Sequence, residues 1–192
     1  MRNVLIGFLL CLVTFPLCVF LYLRVGHPPV AVADVPFMLE KHLVRIPLHA
    51  RIDAEMPAKV PIEANETNFA SGAKIYREQC AVCHGTSGGP ATTGEHMYPS
   101  APHLWKKHGN GVVGVSDDPP GETYWKIENG LRLTGMPAFN QTLNQTEIWQ
   151  VTVLLANADK PMPDSVMNLL KQPLNVDSPS GVSAVVPPLR PH

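Results

Sequence analysis

The sequence predicts an all-α fold in which a small helical domain with long loops follows an amino-terminal transmembrane helix. Three observations support this prediction. Residues 3–23 form an uncharged and almost entirely apolar run. Apolar residues between Phe69 and Cys80 recur at helical spacing. No part of the chain shows the alternation of apolar and polar residues that is typical of a half-buried strand. Three or more short helices are therefore expected instead of a sheet.

The composition limits the size of the domain and the kind of partner. With 192 residues and 21.0 kDa, the chain suits one compact domain with appendages. The 15 basic and 16 acidic residues give a net charge near −1, and no basic stripe that could bind phosphates is present. Nucleic acid is therefore not an expected partner. The 20 prolines are about twice the usual frequency of ~5%, which predicts irregular segments around a small core.

The amino-terminal run is long enough to cross a membrane. Residues 3–23 contain no charged side chain and are bracketed by Arg2 and Arg24. About 20 helical residues span the hydrocarbon core of a bilayer, so this run is expected to contact membrane lipid. A cleavable signal peptide is the alternative, because Ala-Val-Ala at 31–33 resembles a cleavage site. The basic residues on the two flanks do not settle the orientation.

Composition divides the chain into four segments. We predict a transmembrane anchor or uncleaved signal at 1–25, a proline-rich tether at 26–64, a folded domain at 65–160 and a proline-rich carboxyl-terminal tail at 161–192.

Each flanking segment contains one candidate short helix. In the tether, Phe37, Leu39, Leu43 and Ile46 are spaced for an amphipathic helix that is expected to pack on the following domain. In the tail, residues 164–171 are expected to form a short helix capped by Asp164, with the remainder disordered.

Three helices are expected in the domain itself. The first runs through residues 69–80, and the second covers 123–129 and ends at Gly130. The third opens at Asn144, where Glu147 three residues later completes a capping-box pattern. Between the first two helices, residues 85–121 hold eight glycines and five prolines. So long a loop is unusual in a compact domain unless a group other than side chains organises it.

The motif at the end of the first helix supplies that group. Residues 80–84 read Cys-Ala-Val-Cys-His, the C-x-x-C-H attachment sequence of c-type heme. At a helical end, Cys80 and Cys83 present both sulfurs to one side, where each can bond a vinyl group of the porphyrin. The adjacent His84 can reach the iron from the same face. The sequence therefore predicts one covalently attached heme c with its iron, and the apolar porphyrin would complete the small core.

A C-x-x-C pair alone has three other interpretations: a zinc site, a thioredoxin-like redox dithiol and chance. A zinc site with four sulfur ligands is excluded because Cys11 and Cys18 lie in the apolar run. The loop histidines could complete a mixed zinc site, although solvated loop positions are the expectation for them: His96, His103 and His108. A redox-active dithiol belongs after a strand in a βαβ unit, whereas a helix precedes this pair.

The second axial ligand decides whether the iron carries electrons or binds small molecules. Met136 is the candidate because it lies between Gly135 and Pro137, in a loop between the second and third helices, 52 residues after His84. Pro137 is expected to stiffen this loop, and Gly135 to let the backbone approach the ring. Met97, 13 residues after His84, is the weaker alternative. A methionine sulfur occupies the sixth coordination position of the iron and raises its reduction potential.

Taken together, residues 69–159 resemble a monoheme class I cytochrome c domain of the bacterial, membrane-anchored kind. Gly72 and Tyr76 are similar to the pair on which the carboxyl-terminal helix crosses the first helix in this family. The resemblance implies Trp149 and Leu154 as their partners on that helix. Residues 102–104, Pro-His-Leu, resemble the family's P-x-L segment, which implies that the Pro102 carbonyl accepts a hydrogen bond from His84.

The resemblance also implies a function and a location. The expected function is electron transfer between redox partner proteins, with no small-molecule substrate and no enzymatic activity. In this family heme c is attached outside the bacterial cytoplasmic membrane. The heme domain is therefore expected in the periplasm, on a single-pass anchor. The alternative is a heme c subunit of a larger respiratory oxidase or periplasmic dehydrogenase complex.

Overall fold

The computed structural model of the protein describes residues 1–109 and 111–174, and this part is mostly helical, which confirms the all-α prediction. The predicted disordered tail beyond residue 174 lies outside the described residues. In chain order the elements are α1 (Arg2–Val25), α2 (Glu40–Glu55), α3 (Glu66–Gln79), α4 (Ala81–His84), a 3-10 turn (Gly94–His96), β1 (Lys107–His108), β2 (Val112–Val113), α5 (Pro120–Asn129), α6 (Gln145–Ala156) and α7 (Asp164–Lys171).

The structure divides into two compact units, Met1–Ala50 and a second unit that begins at Arg51. The first unit contains α1, whose side chains are all exposed to the surroundings. Within the described ranges, α1 is the one helix that is long and apolar enough to cross a membrane. A signal sequence of the same length and composition meets the same criterion.

The segment predicted to be a tether contains a 16-residue helix, α2, with Pro47 inside it. Leu39, just before α2, and Leu43 and Ile46 within it are spaced for one helix face, yet they are 50%, 59% and 68% exposed. The expectation that these residues pack on the following domain stays a prediction, since they belong to the first unit.

The last turn of α2 belongs instead to the second unit. Ile52 is 1% exposed. Glu55 accepts a hydrogen bond from Trp125 Nε1 at 2.9 Å and pairs with Arg51, whose guanidinium lies 5.7 Å from the Trp125 ring centroid. The hydrogen bond from Trp125, followed by Arg51, holds the pKa of Glu55 below its usual value. The compact unit thus begins before the predicted boundary at residue 65, because an apolar side chain and this polar cluster dock the end of α2 onto α5.

The centre of the second unit is the contact between α3 and α6, and both helices begin at side-chain caps. The Asn65 side chain accepts the backbone N–H of Asn68 at 3.0 Å at the start of α3. At the start of α6, Asn144 and Glu147 form the predicted capping box. Halfway along α3, Gly72 lies so close to α6 that a Cβ atom there would overlap the carbonyl of Gln150. The two helix backbones therefore meet directly at Gly72.

The aromatic contact that the structure shows for α6 is with α5. Trp149 stacks on Tyr124 of α5, with 4.3 Å between ring centroids and 26° between ring planes. Leu154 is fully buried, as a residue facing the core should be. On the neighbouring helix, α5 begins at Pro120, three residues before the predicted start, and Gly130 ends it with a φ of 65°. Trp149 thus joins α6 to α5, whereas Gly72 receives the α6 backbone at Gln150.

The short helix α7 was predicted at the right residues but with the wrong cap and role. Pro163 holds the N-cap position and Asp164 makes no capping hydrogen bond. Val166 and Leu170 are fully buried in the core, and the chain after α7 accepts a hydrogen bond from Arg77 at the Gln172 carbonyl. Residues from 161 to the end of α7 therefore belong to the folded unit and not to a tail. Apolar side chains at i and i+4 provide the physical reason.

Replacing Gly72 by alanine should destabilise the protein. The added methyl group would overlap backbone atoms of α6, which cannot rotate away. We expect a loss of about 1–3 kcal/mol in the free energy of unfolding, as is typical of overpacked cores, despite the helix propensity of alanine. Denaturant unfolding of the heme-loaded protein measures this loss. Glu78→Ala, on the exposed side of α3, is the control with little effect, and a Gly72→Ala protein as stable as this control would contradict the close contact.

Candidate heme site

The C-x-x-C-H motif forms a separate helical turn at the end of α3. Cys80 is the C-cap residue of α3 and the N-cap residue of α4. Its φ of −115° bends the chain between the two helices. The His84 N–H donates to the Cys80 carbonyl at 2.9 Å, which closes the turn. Gly85 then leaves the helix with a φ of 75°. This bend turns Cys80, Cys83 and His84 toward one cavity.

The two thiols of the motif are held in the neutral form. Burial, followed by the neighbouring Cys83, raises the pKa of Cys80 to about 12, and burial raises the pKa of Cys83. At neutral pH both sulfurs therefore carry their protons. Because zinc binds the thiolate, this environment disfavours a zinc site and suits sulfurs that end as uncharged thioethers.

His84 presents one ring nitrogen to the cavity and binds the protein through the other. Its Nδ1 lies 2.8 Å from the Pro102 carbonyl oxygen, which can only accept, so Nδ1 carries the proton. Burial lowers the pKa of His84, and so does the neighbouring His103, whereas the bond to Pro102 raises it. The neutral imidazole therefore keeps the lone pair of Nε2 free. A neutral ring with its outer nitrogen fixed by a carbonyl is the usual form of a metal-binding histidine.

The cavity in front of the motif has a volume of about 790 Å³, including the part open to solvent. Ile127 of α5 and Val151 and Leu155 of α6 line it. The lining residues in the described part of the chain include no Asp, Glu, Lys or Arg. This lining therefore suits an apolar group.

The opposite wall is the loop that carries Met136. Thr134 organises this loop, because its hydroxyl donates to the Leu131 carbonyl at 2.7 Å and accepts the Met136 N–H at 3.1 Å. The Met136 carbonyl in turn accepts the Leu131 N–H at 3.2 Å. Leu133 has a φ of 61° at the exposed tip of the loop. These bonds fix the backbone that places Met136 in the lining of the same cavity as His84.

Met97, the alternative ligand, also lines the cavity. Its terminal methyl group packs on Gly135, where a Cβ atom would overlap it. The sequence predicted that Gly135 allows close approach of the ring, whereas the described neighbour of Gly135 is this methionine. The structure thus brings both candidate thioethers to one cavity.

Sequence reasoning missed two residues that support the motif. Gly94, in the 3-10 turn, lies against the carbonyl of Cys83, where a Cβ atom would overlap it. Tyr76, predicted as part of the helix crossing, donates its hydroxyl proton to the Gly85 carbonyl at 2.7 Å and is fully buried. No pattern in the sequence distinguishes Gly94 from the other glycines of this loop.

One of the three loop histidines, His103, is not a fully solvated loop residue, contrary to the prediction. His96 and His108 are exposed, and His108 also contacts the Gly114 carbonyl beside the β1–β2 pair. His103 is half-buried, and both of its ring nitrogens lie at hydrogen-bond distance from backbone atoms. The short β1–β2 pair was itself not expected, since two residues per strand are too few to show alternation.

An attachment motif at the end of a helix, facing a thioether loop across an uncharged apolar cavity, defines the c-type cytochrome class. Its residues fit heme: two neutral thiols, a free imidazole nitrogen, and apolar side chains around the cavity.

Comparison with known proteins agrees with this class. Residues 67–155 match the family model described as cytochrome C oxidase, cbb3-type, subunit III. A curated protein from Stutzerimonas stutzeri (strain A1501), named thiosulfate dehydrogenase, is 28% identical over 142 residues, which cover 71% of this chain. The chain spans 43% of the length of that relative. No solved structure gives a significant match.

These findings support a c-type cytochrome domain over residues 67–155. Domains of this family hold heme c covalently, contain its iron and transfer electrons to redox partners.

Proposed function

We propose that the protein is a membrane-anchored periplasmic cytochrome that carries electrons on one heme c. The observation that best supports this is that Cys80, Cys83, His84 and Met136 line a single cavity without charged side chains. When bound there, heme supplies an iron that exchanges one electron between Fe(III) and Fe(II).

Each of these residues has a separate role in the proposal. Cys80 and Cys83 attach the porphyrin as thioethers, for which their neutral sulfurs are suited. His84 ligates the iron through Nε2 while Pro102 orients its ring. Met136 supplies the other axial ligand from a loop held by internal hydrogen bonds. A neutral thioether favours the reduced iron, so the proposed site has a raised potential.

A filled coordination sphere supports electron transfer over enzymatic chemistry. General acid–base catalysis needs a titratable side chain beside the reacting atoms. The titratable groups that line the described cavity are His84 and the two cysteines, and the proposal uses all three. We therefore assign no small-molecule substrate to this chain. The thiosulfate dehydrogenase relative is more than twice as long as the aligned part, and we propose that the two proteins share their cytochrome part.

The exposed apolar helix α1 supports the proposed location. As a retained anchor it would contact lipid through residues 3–23, with the heme domain on the periplasmic side, where the resembled family attaches its heme. Anchoring keeps the domain at a high local concentration near other membrane complexes, which favours short-lived contacts with redox partners.

A second candidate function is a heme c subunit of a larger oxidase or dehydrogenase complex. The specific observation that favours it is the exposure of Leu39, Leu43 and Ile46, since a cluster of exposed apolar side chains is typical of an interaction surface. The description of the matched family, a subunit of an oxidase, points in the same direction.

The mass of the mature protein tests the heme count and the anchor together. We expect the polypeptide mass including residues 2–25, increased by one heme, because both thiols of the motif bond the porphyrin. Intact-protein mass spectrometry measures this. A mass without heme would contradict the proposed attachment, and a mass that begins after residue 33 would show that α1 is a cleaved signal.

Replacing Met136 by alanine should leave one axial coordination position of the iron without a protein ligand. We expect the ferric protein to lose its far-red sulfur-to-iron absorption band, the reduction potential to fall, and the ferrous protein to bind carbon monoxide, because the thioether is gone. Optical titration and carbon monoxide difference spectra measure these changes. Met97→Ala is the matched control, since Met97 lines the same cavity. Loss of the band in this control but not in Met136→Ala would assign the ligand to Met97.

Co-purification distinguishes the two candidate functions. If the second is correct, wild-type protein extracted from its own membranes in mild detergent should carry further subunits in fixed stoichiometry. Leu43→Asp with Ile46→Asp should release them, because the carboxylates disrupt an apolar contact. His42→Asp adds one carboxylate at an exposed polar position of α2 and should leave the complex intact. Wild-type protein that purifies alone would support the free carrier.

A further inference from the structure

The segment Pro102–Leu104 holds His84 from two directions. The Pro102 carbonyl accepts the His84 Nδ1–H at 2.8 Å, and the Leu104 N–H donates to the His84 carbonyl at 3.2 Å. The side chain and the backbone of His84 are thus fixed by the two neighbours of a single residue, His103. Contacts that fix the position of His103 therefore also fix the geometry of both hydrogen bonds.

The imidazole of His103 is bound at both of its nitrogens. Nδ1 accepts the backbone N–H of Trp105 at 3.2 Å, so this nitrogen has no proton of its own. Nε2 lies 2.8 Å from the Gly89 carbonyl oxygen, which can only accept, so Nε2 carries the proton. The two contacts together define one tautomer of a neutral ring. They also tie the segment to the loop that follows the motif.

The ring of His103 is also packed against the motif. Gly85, the residue after His84, lies so close that a Cβ atom there would overlap the His103 ring. Gly85 adopts a φ of 75°, a backbone conformation that side chains rarely adopt. The chain therefore has glycine where the motif and the ring make contact. His103 is confined between Gly85, Gly89 and the backbone of Trp105.

We propose that His103 is a positioning residue that acts through the Pro102 carbonyl to set the strength of the hydrogen bond to His84, and thereby tunes the reduction potential of the heme iron. The inference rests on the proposed ligation by His84. A hydrogen bond from Nδ1–H makes Nε2 a more basic ligand, which favours the oxidised iron. Loosening the segment weakens this bond and raises the potential.

Three replacements of His103 in the full-length heme-loaded protein test this role. His103→Ala removes both contacts, His103→Asn keeps an acceptor for the Trp105 N–H, and His103→Gln keeps a donor for Gly89. His96→Ala is the matched control, because His96 is an exposed histidine of the same loop. Reduction potentials are measured by optical titration at one pH. Deuterium exchange of the His84 Nδ1 proton is followed by NMR in the same proteins.

The expected result is a graded series. His103→Ala raises the potential and accelerates exchange of the His84 Nδ1 proton about tenfold, the factor that corresponds to loss of one ordinary hydrogen bond. His103→Asn and His103→Gln lie between this variant and the parent, while His96→Ala equals the parent. A purely structural role would lower thermal stability without moving the potential, and that outcome overturns the inference.

The outcomes separate this inference from the proposed function. If the parent protein has covalent heme and the sulfur-to-iron band, but all His103 variants keep its potential and exchange rate, the inference alone fails. If the parent lacks covalent heme, the proposed function fails first. Should His103→Ala not accumulate, the Asn and Gln variants decide, since each retains one of the two contacts.

Discussion

The direct contact of two helix backbones at Gly72 is the constraint on which the rest of the domain depends. Because α3 and α6 touch there without an intervening side chain, the direction of α3 beyond Gly72 is fixed relative to α6. The motif that follows α3 must therefore emerge beside Val151 and Leu155, which face the same cavity from α6. The position of the candidate heme site therefore depends on the absence of a side chain at Gly72 as well as on the motif.

A second constraint is electrostatic. The cavity is lined by apolar and uncharged polar side chains, so a charged form of any group inside it is costly. The same burial raises the pKa of both cysteines and lowers that of His84, which leaves all three groups neutral. Neutral sulfurs and a neutral imidazole suit covalent attachment and iron ligation. The apolar, uncharged lining thus also favours the protonation states that the proposed site needs.

How much the sequence could predict depended on whether the information was local. The capping box of Asn144 and Glu147 and the helical spacing before Cys80 involve neighbours in sequence, and the structure has both elements where they were expected. The packing of Ile52 and of α7 depends on surfaces that form only after folding, so composition alone misassigned them to tether and tail. The hydrogen bond of His84 to Pro102 came from a resemblance, and its distance agrees. The contacts of His103 carry no sequence signature.

The long glycine-rich loop shows why a heme domain can be built from so few helices. Its residues do not form a core of their own; they bind the motif through backbone contacts. Gly94 packs against Cys83, and the Leu104 N–H and the Pro102 carbonyl hold His84. Such contacts order a loop only where backbones approach closely, which requires glycine at the meeting points. Gly94 allows such an approach to Cys83, whereas Gly88, Gly109 and Gly111 face open space, so close contact explains only part of the glycine content of the loop. Electron transfer benefits from the same arrangement, since ligands fixed by backbone groups move little when the charge on the iron changes.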